Sequence, residues 1–136
     1  MQDGSLFPQP LSPQDARLKN PLALAFIGDT VWDLLVRSRL LRSPHRVNTL
    51  HRQAIALVNA GAQAQALARL LPLLSQEEAD VLRRGQNAHA RHMVPKNQDP
   101  VAYSQATGLE ALLGYLYLSG QEARILELFD IAVPMP

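Results

Sequence analysis

Two lone acids, Asp29 and Glu110, stand in otherwise apolar helical stripes, Leu24-Ala25-Phe26-Ile27-Gly28-Asp29 and Leu109-Glu110-Ala111-Leu112-Leu113-Gly114. Taking a carboxylate out of water is costly unless something positive meets it. No Lys or Arg falls on the local face of either helix. Two such acids brought together across a helix pair repel each other unless a cation bridges them. Carboxylate oxygens, completed by water and a phosphate, suit Mg²⁺ better than other metals. Such an ion can activate a water and stabilise charge on a phosphodiester. The residues alone also fit a plainer arrangement, partly exposed acids paired with arginines across a bundle.

Helices must position these acids. Asn20-Pro21 is a capping side chain followed by Pro at the first helical position. Apolar residues at Leu22, Ala25, Phe26, Val31 and Leu35 carry that helix to about Leu41, where Ser43-Pro44 breaks it. A second helix is predicted from Val47 to Leu71, bent near Gly61. Ser75 and Glu78 form a capping box that opens a third, ending near Ala88. Asp99-Pro100 starts a fourth, to Leu118, and residues 121–131 make a fifth. Strand-length Val, Ile and Thr clusters are scarce, so the chain is all-α with about five main helices. Residues 1–19, with Pro8, Pro10 and Pro13, are predicted to be a flexible Pro-rich tail, and residues 20–136 a single catalytic domain. Gly28, Gly108 and Gly114 each cost on the order of 1 kcal/mol in a helix interior. Their place beside the acids predicts close helix packing there.

The 136-residue chain has no cysteine, which excludes disulfides, thiolate metal sites and cysteine nucleophiles. It has no apolar run long enough for a bilayer and no signal-peptide pattern at its start, so a cytoplasmic protein with no membrane partner is expected. The net charge of +1 conceals a segregation. Between Leu34 and Gln76 lie Arg37, Arg39, Arg42, Arg46, Arg52 and Arg69 with no acid, and Val81 to Gln98 holds Arg83, Arg84, Arg91 and Lys96 with none either. A polyanion partner would account for this, as would solvated helix faces. Asp33 is expected to pair with Arg37 one turn on.

Phe26-Ile27-Gly28-Asp29-Thr30-Val31 resembles the signature helix of the ribonuclease III family, and the stretch Leu109 to Leu118 resembles its second acidic motif. The similarity is closest to the short branch, Mini-ribonuclease III, which lacks a separate double-stranded-RNA-binding domain. It extends over about residues 20–130 and includes Asn48-Thr49-Leu50-His51, Arg83-Arg84-Gly85-Gln86-Asn87-Ala88 and Pro95-Lys96-Asn97. The resemblance implies a homodimeric, metal-dependent endonuclease that cuts double-stranded RNA, leaves 5′-phosphate ends and acts in maturation of precursor large-subunit ribosomal RNA. Asp29 and Glu110 would be its catalytic, metal-binding acids, with Mg²⁺ or, in its place, Mn²⁺. Ala25 and Thr107 stand where full-length ribonuclease III has two further acids. The short branch shares this thinned set, which predicts weak metal binding without RNA.

Thr107 would then orient a water or a carboxylate from behind the ligands, or be an ordinary helix-face hydroxyl. Arg83, Arg84, Asn87, Arg91, Lys96 and Asn97 form a candidate clamp on RNA phosphates and 2′-hydroxyls, with His51 a further candidate contact. His89 and His92 are expected to be solvated, with no metal assigned to them. Phe26, Val31 and Trp32 are candidates for the dimer surface, although for any one of them monomer core is the favoured reading. Two other functions compete. Helical nucleotide pyrophosphohydrolases also use acids and Mg²⁺, but the capping box explains Glu77, Glu78 and Asp80. A non-catalytic RNA-binding or ribosome-assembly module of the same fold is the alternative outside enzymes.

Overall fold

The Asn20 side chain accepts a hydrogen bond from the Leu22 N–H at 2.8 Å, and the long helix that carries Asp29 begins there. The computed structural model describes residues 9–89 and 96–134. Among these there are seven α-helices and no strand. They are α1 (Pro13–Arg17), α2 (Pro21–Leu40), α3 (Val47–Val58), α4 (Ala60–Leu70), α5 (Gln76–His89), α6 (Pro100–Leu118) and α7 (Glu122–Ala132). A 3-10 turn, Leu71–Leu73, joins α4 to α5. No helix of the described residues is long and apolar enough to cross a membrane.

The all-α class agrees with the pattern, but the helix count does not. The single helix expected from Val47 to Leu71 is two, and the break falls at Asn59 rather than Gly61. Asn59 is extended, with ψ near 160°, and its side-chain oxygen accepts from the Ala62 N–H at 2.9 Å to cap α4. Asn competes with the helix for backbone donors, whereas Gly61 is simply carried within α4. The other addition lies in the tail expected over residues 1–19. There Ser12 caps α1, Ala16 is fully buried, and the Leu11 N–H donates to the Leu118 carbonyl at 2.8 Å.

Helix α6 forms the centre. Ala106 to Leu116 are buried on every side except at Glu110, which is partly exposed. A helix apolar all round must be wrapped by others, and α2, α4, α5 and α7 wrap this one. Against α2 the approach is closest. A Cβ on Gly28 would lie 1.6 Å from the Glu110 carbonyl oxygen, and one on Gly114 would lie 2.0 Å from that of Leu24. The two backbones therefore touch at two places, one turn apart on each helix.

One turn beyond Gly28 on α2, Trp32 donates its indole N–H to the Leu57 carbonyl at 3.0 Å and meets Phe129 edge to face, with ring centroids 5.3 Å apart. The capping box closes as predicted. The Ser75 N–H donates to Glu78 at 2.8 Å, and the Glu78 N–H to the Ser75 hydroxyl at 3.1 Å.

Candidate metal and RNA site

The Gly28–Glu110 contact sets Asp29 and Glu110 side by side at the edge of the α2–α6 crossing. They lie within hydrogen-bonding reach of each other, in a cleft of about 540 Å³. Leu22, Ala25 and Phe26 of α2, Asn59 and Gln63 at the start of α4, and Tyr103, Ala106 and Thr107 of α6 complete its walls. Not both acids are buried, as the apolar stripes had suggested. Asp29 is exposed at the rim and Glu110 sits deeper, because α2 is covered on one side only while α6 is enclosed. Gln63 approaches from behind, with its amide nitrogen 3.4 Å from Glu110 Oε2.

Burial, and then Asp29 through its hydrogen bond and its charge, pushes the Glu110 carboxyl up to about 8, while Gln63 opposes the rise. No arginine meets either acid among the described residues. Arginine pairing across the bundle, the plainer arrangement, is therefore not what the fold builds. Two crowded carboxylates, with the proton affinity of Glu110 raised, fit a hard divalent cation. The described residues contain no group of three or more His, Cys, Asp or Glu able to hold an ion. Water and a substrate phosphate would have to complete the ligand set.

Thr107 also lines the cleft, and its hydroxyl donates to the Tyr103 carbonyl one turn back at 2.9 Å. That bond fixes the hydroxyl hydrogen and leaves the oxygen able to accept.

The expected RNA contacts fall into separate groups. Arg83 is exposed and paired with Asp80, one turn back on α5. Arg84 is tied differently. Its guanidinium donates to the Arg17 carbonyl at 2.6 Å, fastening α5 to α1. Asn87 on α5 and Lys96 and Asn97 in the turn before α6 are exposed. Arg91 and His92 lie outside the described residues, as does the side chain of His89. His51 is exposed on α3 beside a separate apolar hollow lined by Arg37, Leu40, Leu41, Val47, Leu50 and Ala54. None of those residues lines the acid cleft.

The acid-free arginine stretch is also partly structural. Arg39 donates to the Val133 carbonyl and to Asp130 at 2.7 Å, and Arg69 donates to the Ala132 carbonyl at 2.8 Å. Both satisfy or neutralise the carbonyl end of α7. Arg37 pairs with Asp33 at 3.1 Å, as the spacing predicts.

Of the three candidate dimer residues, Val31 and Trp32 are monomer core, the alternative held open for each of them. They lie on the face of α2 turned toward the bundle, whereas Phe26 points outward and is 82% exposed.

Gln63 is the residue the motifs missed. It lies in register with Ala66, Leu67 and Leu70, all buried on α4. An amide within that apolar stripe was the available signal, obscured by the Ala- and Gln-rich run around it.

Comparison with known proteins agrees with this geometry. Residues 22–121 match the Ribonuclease III domain family. A Mini-ribonuclease 3 from Symbiobacterium thermophilum is 50% identical, over 82% of this chain and 86% of its own length. One from Synechocystis is 40% identical, over 98% of this chain and 93% of its own. A crystal structure of a Fusobacterium nucleatum protein superposes with a TM-score of 0.78 at 31% identity, covering 86% of this chain and 93% of that one. The chain belongs to the ribonuclease III family and is an endoribonuclease of its Mini-ribonuclease 3 branch.

Proposed function

We propose that this endoribonuclease is Mg²⁺-dependent, cuts double-stranded RNA and acts on precursor large-subunit ribosomal RNA. The observation that carries the metal dependence is the Asp29–Glu110 pair, two acids crowded together with no basic neighbour. Asp29 at the rim and Glu110 in the wall supply oxygen donors from two rigid helices. When bound, a divalent cation supplies Lewis acidity toward a phosphodiester and makes a water nucleophilic near neutral pH. Thr107, its hydrogen committed to Tyr103, is a positioned acceptor for a water or a donor from the substrate. Attack of water on phosphorus breaks the P–O3′ bond, leaving a 5′-phosphate and a 3′-hydroxyl.

A-form RNA buries its bases in a narrow major groove, so an all-helical surface reads backbone and shape. Exposed Arg83, Asn87, Lys96 and Asn97 are the proposed phosphate and 2′-hydroxyl contacts, with His51 a further one. One chain carries one acid pair, and cutting both strands calls for two. A second copy docked on the outer face of α2, through exposed Phe26 and Leu34, would supply the other.

The test is incubation of purified protein with long double-stranded RNA and Mg²⁺, then with EDTA. Metal-dependent fragments are expected from wild type and not from Asp29→Asn or Glu110→Gln. Near-normal rates in both variants would refute the role of the pair, and a gel shift without fragments would favour a binding module.

A further inference from the structure

Three polar or charged residues are buried in the described chain: Glu78, Thr107 and Gln63. The first is accounted for by Arg124 and the capping box, and the second by its bond to the helix backbone. Gln63 is only 2% exposed, and its side-chain amide nitrogen approaches Glu110 Oε2 at 3.4 Å.

Its placement is rigid. Asn59 caps α4, the Gln63 N–H donates to the Asn59 carbonyl at 3.0 Å, and Ala66 and Leu67 bury the same face one turn on. A glutamate has three side-chain torsions and its carboxyl can swing widely. In this cleft the Glu110 carboxylate lies between Asp29 on one helix and the Gln63 amide on another. An amide nitrogen can only donate, so it holds one carboxylate oxygen by its acceptor lone pair. The residue also lines the cleft.

We propose that Gln63 is a positioning residue for the reaction, orienting the Glu110 carboxylate so that it and Asp29 present their oxygens to one cation. Outer partners that orient metal-binding side chains are commonly worth 10- to 100-fold in affinity or activity, without touching the ion. The inference rests on the function proposed for the acid pair, so its test must separate the two.

Gln63→Leu, close in volume and without a donor, is compared with wild type as full-length protein. Mn²⁺ binding is followed by electron paramagnetic resonance without RNA, and Mg²⁺-dependent cleavage by kcat and KM. The expected result is Mn²⁺ affinity weakened roughly tenfold and kcat lowered roughly 10- to 100-fold, with KM for double-stranded RNA changed little. A purely structural role would instead lower thermal stability and leave the Mn²⁺ affinity of the folded fraction intact. Mn²⁺ affinity and kcat within about twofold of wild type in the folded variant would overturn the proposal. If Gln63→Leu does not fold, Gln63→Met, of matching length and likewise without a donor, carries the same comparison. A wild type that neither binds Mn²⁺ nor cleaves would sink the acid-pair function itself. A wild type that does both, alongside an indifferent Gln63 variant, sinks only this inference.

Discussion

Gly28 and the main chain of Glu110 are in direct backbone contact, and a Cβ at position 28 would lie 1.6 Å from the Glu110 carbonyl oxygen. The contact puts the acid of one helix beside the acid of the other, so packing and chemistry share one crossing. Gly28→Ala should therefore destabilise the fold by about 3 kcal/mol or more and remove cleavage. Gly61→Ala, exposed on α4 with only the Asn59 side chain nearby at 3.3 Å, should stay within about 1 kcal/mol of wild type. Chemical denaturation of both variants checks the contrast.

Glu110 carries a proton to about pH 8 in the metal-free fold but only to about 4.5 when the chain is unfolded. Its contribution to stability is thus fully present below about pH 4.5 and is lost as pH rises through about 8. The melting temperature of metal-free wild type, relative to that of Glu110→Gln, should fall across this window. Saturating Mg²⁺ should flatten the fall, since a cation takes the place of the proton. Melts in EDTA and in Mg²⁺ at several pH values measure it, and a pH-independent difference would contradict the crowded pair.

Arg124 donates from Nε and Nη2 to both oxygens of Glu78, at 2.9 and 2.8 Å, and from Nη2 to the Leu73 carbonyl at 2.9 Å. It holds Glu78, buried at the start of α5, below the usual carboxylate range. Arg124→Ala leaves that acid uncompensated and should cost about 3 kcal/mol. The stability Glu78 provides is present above its unfolded value of 4.5 and is lost as pH falls through the lower folded one. Arg83→Ala breaks an exposed pair and should cost no more than about 0.5 kcal/mol by the same denaturation measurement.

Arg83 and Lys96 are exposed, whereas Arg84 is fastened to Arg17. Neutralising Arg83 or Lys96 should weaken binding to uncleaved double-stranded RNA and lower the salt slope by about one for each phosphate no longer neutralised. Arg84→Ala should act first on thermal stability. Binding titrations over a range of salt concentrations separate the two outcomes.

Phe26 is among the most exposed large apolar side chains described, although it lies in the helix that carries Asp29. Phe26→Glu should leave the monomer folded, because that ring is not part of the core, and should convert a dimer to monomers in sedimentation analysis. Trp32→Ala should unfold the chain, since that ring is enclosed against Phe129.

Helix starts at Asn20, Ser75 and Asp99 are local chemistry, a side-chain oxygen meeting free N–H groups, and all three caps form as the sequence alone predicts. Asp29, Glu110 and the glycines around them stand out because charge and missing side chains are conspicuous in apolar stripes. Local pattern could not say which side of α2 would be covered. Val31 and Trp32 go inward and Phe26 outward only because α6, α3 and α7 lie where they do. It could not sort the arginines either. Arg39, Arg69 and Arg84 are committed to carbonyls 94, 63 and 67 residues away in the chain, and those partners exist only once the helices have packed. Gln63 reaches Glu110 across 47 residues for the same reason. Motif and capping are properties of neighbours along the chain, while burial, pairing and the raised proton affinity of Glu110 are properties of neighbours in space.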